Sequence, residues 1–160
     1  MGCGYHAVHG GEARERLRPS LGTVTIADAV AADEVLSGAR ETLAREGALG
    51  GAGDRELVLE VTRIDESADS ISAQGGVPLA RGLTVSAVGR GLVEDQTGLP
   101  LRDTGDMRAT VTLATPGNAR ADTFAHDDAV RAAARRLGQK LALRAMGEPV
   151  STEEGEGQRP

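Results

Sequence analysis

Tyr5 and Phe124 are the only aromatic residues in the 160-residue chain, and there is no tryptophan. The core must therefore be filled with Leu, Val, Ile and Ala, whose buried methyl groups have to supply the transfer free energy that large rings usually provide. With 39% hydrophobic residues, a chain of this length buries one sizeable core, so a single domain is expected. The shortage also excludes a class of function, because proteins that bind single-stranded nucleic acid stack bases on aromatic platforms. The net charge of −6 points the same way, and no nucleic-acid partner is expected.

The aliphatic residues recur with two periods. From Gly22 to Ala27, Val24 and Ile26 alternate with Thr23 and Thr25, which reads as a short strand. Asp28 or Asp33 is placed to cap a helix in which Ala32, Val35, Leu36, Ala39 and Leu43 share a face, and Gly47 stops it. A second strand is expected from Glu56 to Ile64, then a long irregular hairpin connection from Asp65 to Gly82. A third strand runs from Leu83 to Glu94, and Glu94 to Pro100 reads as a turn. In the fourth strand, Met107, Ala109, Val111 and Leu113 face one way and Arg108, Thr110 and Thr112 the other, so one face is buried and one wet. Asp127 or Asp128 is expected to start the longest helix, with Val130, Ala133, Ala134, Leu137, Leu141 and Ala145 as its apolar stripe and Gly147 and Pro149 ending it. The order β-α-β-β-β-α predicts an α+β fold: a four-stranded, mainly antiparallel sheet with two helices packed on one face. Residues 1–20 read as a leader and linker, 21–147 as the domain, and 148–160 as a disordered tail.

No residue set reads as catalytic. His6 and His9 lie in the leader and His126 at a helix start, and none has a nucleophile and an orienting group in reach along a structured turn. His126, Asp127 and Asp128 have metal-compatible side chains, but acidic residues at a helix start are explained by dipole complementarity, and no metal or cofactor is expected. Gly50-Gly51-Ala52-Gly53 lacks the Gly-Lys-Ser/Thr of a phosphate loop and precedes a strand. Asp103 and Asp106 sit near a turn, where solvation is their default role. Arg131 and Arg135, and Arg136, Lys140 and Arg144, stack along helix flanks at four-residue spacing. That pattern reads as a solvated face, although the guanidinium fork also suits phosphate and carboxylate groups.

Cys3 is the only cysteine, which rules out an intrachain disulfide. A cysteine preceded by a small residue resembles the mature start of a bacterial lipoprotein, with diacylglycerol on its thiol. On that reading a signal segment preceded the cysteine in the precursor. Other readings stay open at this point: an unmodified thiol, a zinc ligand with His6 and His9, or the start of a dually acylated protein, whose pattern wants Ser or Thr where His6 stands. Cys3-Gly4-Tyr5-His6, followed by a linker, the strand Thr23-Val24-Thr25-Ile26-Ala27 and a helix, resembles the lipopolysaccharide-assembly lipoprotein family LptE. Glu56 to Val61, Leu83 to Ala87, the turn before Leu99 and Asp128 to Ala133 resemble that family's strands and closing helix, so the similarity spans about residues 3–146.

The resemblance implies a lipoprotein lipid-anchored through Cys3, at the periplasmic side of the outer membrane of a Gram-negative cell. There it would complex with the β-barrel LptD and assist lipopolysaccharide assembly, without catalysis. Arg102 and Arg108 are the candidate lipopolysaccharide contacts, and Thr84, Ser86, Arg108, Thr110 and Thr112 the polar strand surface that a barrel interior would meet. The alternative is a lipoprotein regulator of a periplasmic cell-wall synthase or envelope transporter; a soluble hydrolase is disfavoured by the missing triad. The tail generates the first prediction. Deleting residues 150–160 should move the thermal midpoint by no more than about a degree or two, since changes away from packed features shift stability by about 0.5 kcal/mol or less. A calorimetric scan checks this.

Overall fold

In the computed structural model, which describes residues 15–26, 28–74, 77–115 and 119–148, the two sequence periods become a sheet and a helix pair. The elements run β1 (Leu17–Val24), α1 (Ala29–Arg45), β2 (Arg55–Gln74), β3 (Val77–Glu94), β4 (Pro100–Asp103), β5 (Met107–Thr115) and α2 (Ala119–Ala145). The class and the β-α-β-β-β-α order are as expected, with one strand more. Both β4 and β5 pair antiparallel with β3, β4 against residues 92–94 and β5 against residues 81–89. They lie end to end along one edge, so the sheet is four strands wide although five strands build it. β2 pairs antiparallel with β3, and β1 lies parallel to β2 on its far side.

Three boundaries differ from the sequence reading. β1 starts at Leu17 and not Gly22, because Leu17 is fully buried and its amide and carbonyl bond Ala48 and Gly50 at 2.8 Å each, which ties the strand start to the α1–β2 loop. The expected irregular connection from Asp65 to Gly82 is instead paired strand, with the β2–β3 ladder running out to Gln74 opposite Val77. Polar residues do not end an antiparallel pair when the backbone groups bond across it. α2 begins at Ala119, eight residues before Asp127, with Asp122 in its first turn. The Cys3 leader and residues 149–160 lie outside the described residues.

The helix ends obey local chemistry. The Asp28 carboxylate caps α1 by accepting the Ala31 amide at 3.0 Å. Gly47 and Gly147 adopt φ of +68° and +83°, and in both the two amides past the helix bond carbonyls three and five residues back: Gly47 to Ala44 and Ala48 to Leu43, Gly147 to Arg144 and Glu148 to Leu143.

The core lies between the helices and one sheet face. Leu17, Leu57, Leu59, Val61, Val85, Val93, Ala109 and Val111 meet Val35, Ala39 and Leu43 of α1 and Ala133, Leu137 and Leu141 of α2. What sets the spacing is a crossing of two glycines. A Cβ on Gly138 would lie 1.9 Å from the Val35 carbonyl oxygen, and one on Gly38 would lie 2.2 Å from that of Arg135. Both clashes are with backbone, so no side-chain adjustment relieves them.

Gly138→Ala therefore sets two effects against each other. Alanine gains about 1 kcal/mol of helix propensity, whereas a backbone clash forces the helices apart, and overpacking costs about 1–3 kcal/mol. With the clash at 1.9 Å the steric cost should win, and Gly138→Ala should lower the thermal midpoint. Gly51→Ala, where an added Cβ meets nothing within 4 Å, is the control and should leave it unchanged.

Candidate functional site

The helices cover one sheet face and leave the other open, and strand alternation decides which residues appear there. Across β3 and β5 the open face carries Thr84 opposite Thr112 and Ser86 opposite Thr110, with hydroxyl pairs at 3.1 and 2.9 Å. Such cross-strand hydroxyl pairs stabilise a sheet, and on this face Thr112 is exposed while Ser86 is covered by its neighbours to 6% exposure. The polar strand surface expected from sequence is thus gathered on one face.

A β-bulge in β2 shapes the middle of that face. Val61 pairs with Gly89 and Arg63 with Val88, so Thr62 is the extra residue, and its hydroxyl donates to the Val88 carbonyl at 3.1 Å. The bulge reverses the alternation. Before it Leu57, Leu59 and Val61 face the core; after it Arg63 and Asp65 take the open side, while Ile64 and Glu66 turn toward the helices. A depression of about 430 Å³ opens beside it, lined by Thr62, Arg63, Val88, Asp106, Met107 and Arg108. The arginines at and beside it are paired: Arg108 with Asp65 at 3.2 Å, Arg63 with Asp65 at 3.0 Å, and Arg90 with Glu60 at 2.8 Å.

Arg108 therefore stands on the open face, 53% exposed. Arg102 does not join it. Arg102 lies opposite Val93, which is fully buried in the core, so it points to the helix side. There, with Arg55, it clasps Glu15 at the foot of the sheet. The two candidate lipopolysaccharide contacts are on opposite faces and do not form one site. Burial pushes the Glu15 carboxyl up, but the hydrogen bonds and charges of Arg55 and Arg102 outweigh it and hold the group below the usual carboxylate range. Sequence reasoning missed this clasp, because Glu15 lay in what read as linker.

The basic flank of α2 has two uses. Arg135 pairs with Glu34 of α1 at 3.2 Å. Arg136 and Lys140 donate to the carbonyls of Thr110 and Arg108 at 3.2 and 3.3 Å. Those carbonyls belong to the edge strand, so the side chains cover groups that would otherwise template a further strand. His126 contacts Glu66 at 2.8 Å and Asp127 at 3.4 Å, and among the described residues no group of three or more His, Cys, Asp or Glu is placed to hold a metal ion.

No family model matches the chain, and no curated protein does. Solved structures do. A minor lipoprotein from Acinetobacter baumannii superposes with a TM-score of 0.53 at 13% identity, covering 84% of this chain and 94% of that one. A protein assigned as a lipoprotein from Caulobacter crescentus superposes with a TM-score of 0.55 at 15% identity, covering 84% of this chain and 91% of that one. At such identities the likeness is one of fold: this chain has a fold found in bacterial lipoproteins.

The His126 contact gives a pH-dependent prediction. The hydrogen bond to Glu66 raises the imidazole above its ordinary 6.5, partial burial opposes it, and Asp127 adds to the rise. A pKa raised on folding stabilises fully below the unfolded value and ceases to do so as pH climbs through the folded one. The thermal midpoint of His126→Gln should therefore fall below that of the parent chain at pH 5.5 and converge with it by about pH 8.5, as melts at a series of pH values would show.

Proposed function

We propose that the chain is a lipoprotein of the LptE type, held at the periplasmic side of the outer membrane by lipid on Cys3. It complexes with the barrel LptD and assists lipopolysaccharide assembly. The observation that carries the reading is the order of elements: the order for which the sequence resembles that family is adopted by the chain, in a fold it shares with bacterial lipoproteins. The open sheet face supports it, because a strand face lined with Thr84, Ser86, Thr110 and Thr112 suits the polar interior of a barrel. On this reading the work is done by binding, with the helices holding the sheet rigid, and no residue acts as a catalyst. Of the two arginines, Arg108 is the one on the face that would meet the barrel or its lipopolysaccharide.

Expression with the LptD of the same organism, followed by purification on a tag carried by this chain, tests the reading. The barrel should co-elute, and Thr112→Glu, an exposed change on the open face, should abolish co-elution while costing the fold only the Thr84–Thr112 hydroxyl pair, about 0.2–1 kcal/mol, so that the chain still melts cooperatively. Mass spectrometry of the protein extracted from membranes should find Cys3 carrying diacylglycerol and a further acyl chain. A barrel that is extracted but never co-elutes, while a cell-wall synthase or transporter component does, replaces this reading with that of a regulator.

A further inference from the structure

Among the described residues, the edges of the sheet differ in how they are closed to a further strand. β1 has Pro19, which offers no amide, a register break between Leu21 and Val24, and a bridge from Leu17 to Leu49. β4 is four residues long and starts at Pro100. β5 has its Thr110 and Arg108 carbonyls taken by Arg136 and Lys140. β2 past the Thr62 bulge has none of these devices. β1 stops beside it, with the Thr25 amide on the Val61 carbonyl at 3.0 Å and the Thr25 hydroxyl on the Thr62 carbonyl at 2.6 Å, and the chain then leaves for the Asp28 cap of α1. From Arg63 to Ser70 the ladder to β3 runs without a shift, and no described strand pairs with the other side. That side is an edge about 23 Å long at strand rise, with the amides and carbonyls of alternate residues facing outward.

Only another backbone supplies donors and acceptors at that spacing, and two observations narrow whose it is. A cleft of about 390 Å³ opens where β1 departs. Ile26, Ile64 and Val130 line it and pack with the core, and Glu66 stands at it with its side chain 45% exposed. Ile64 and Glu66 both face the helix side. A strand laid in the column that β1 vacates therefore places one side chain beside Ile64, in the cleft, and the next on the same face beside Glu66. The first position asks for an apolar side chain and the second for a cation. The other observation is charge: residues 63–70 carry Arg63 against Asp65, Glu66 and Asp69. Two copies laid edge to edge would set carboxylates against carboxylates, whereas a basic strand is drawn in.

We propose that residues 63–70 are a strand-addition site for an extended segment of a partner protein that carries an apolar and a basic residue two positions apart, the apolar one seated by Ile26, Ile64 and Val130 and the basic one beside Glu66. The added strand continues the column of β1, so the sheet becomes four strands wide along this part of β2 as well. The open face gains area and is not covered, which leaves it free to meet a barrel wall. The site goes beyond the proposed function and does not depend on which protein supplies the strand.

Amide exchange followed by NMR on the full ¹⁵N-labelled chain tests this, with a capped peptide in which threonine alternates with valine and lysine as the probe. In the free chain every second amide from Arg63 to Ser70 should exchange freely. The peptide should slow that set by about tenfold or more and leave β5 unchanged. The same peptide with glutamate for lysine should bind about tenfold more weakly, and Glu66→Lys should remove that preference. Glu66→Gln, which keeps the shape, should narrow it if the lysine variant does not fold. The proposal is overturned by slow exchange of the whole segment in the free chain, which a segment of the chain itself or a second copy would cause. It is equally overturned by a peptide that leaves the set unchanged at millimolar concentration, or by a lysine preference that both Glu66 variants retain in full. None of these results bears on co-elution with the barrel, which reads the open face.

Discussion

The close crossing of α1 and α2 at Gly38 and Gly138 is the constraint from which the rest of this molecule follows. A core without aromatic rings has few side chains large enough to fill the gap between helices at ordinary separation, and a void forfeits dispersion contacts outright. The chain resolves this by removing side chains instead of enlarging them. Ala31, Ala32, Ala39, Ala129, Ala133, Ala134, Ala142 and Ala145 are all buried, and at the crossing even the methyl groups are gone. Helix α2 approaches the sheet in the same way: a Cβ on Gly89 would lie 3.2 Å from Leu137 Cδ2 and 2.2 Å from the Glu60 carbonyl. Thin layers then let a few leucines, Leu57, Leu59, Leu137 and Leu141, close the core.

The second constraint is the bulge at Thr62. One inserted residue changes which side of β2 faces the helices, so a strand that opens with three core residues continues with Glu66 on the same side. Glu66 keeps its carboxylate 45% exposed there and meets His126, which α2, starting at Ala119, presents on its second turn. The bulge, the early helix start and the His126–Glu66 contact are one arrangement. It also gives the open face its depression, since Arg63 and Val88 are brought opposite one another.

Much of this was legible in the sequence, and the exceptions share a cause. The alternation from Met107 to Leu113, the stripe of α2 and the glycine stops report side chains on one element, and each appears as expected. What sequence could not place are relations between elements. Gly138 lies on the apolar face of its helix, four residues after Ala134 and three before Leu141, but nothing local says that Val35 will stand above it. Arg102 and Arg108 look alike in sequence, yet register puts them on opposite faces because Thr104, Gly105 and Asp106 break the strand between β4 and β5. The extended hairpin did carry an unused signal: Gly75-Gly76 is a two-residue hairpin loop by composition, and its position implies that the polar residues on either side are paired strands. Glu15 carried none, since its partners are 40 and 87 residues away.

The charges of the open face bear on which partner the proposed function requires there. Arg18 is paired with Glu56, Arg90 with Glu60, and Arg63 and Arg108 with Asp65. Exposed pairs of this kind add little stability, about 0.2–1 kcal/mol each. Their effect on recognition is larger. A phosphate that took Arg108 would have to displace Asp65 and leave that carboxylate beside Arg63 alone, and like charge between the carboxylate and the incoming phosphate opposes the exchange. Hydroxyl rows and ion-paired side chains instead offer donors and acceptors at fixed strand spacing, which is what a hydrogen-bonding wall demands. On the proposed reading the sheet face is therefore the surface for the barrel protein, and lipopolysaccharide phosphates are a secondary ligand, met only where Arg108 borders the depression beside the bulge.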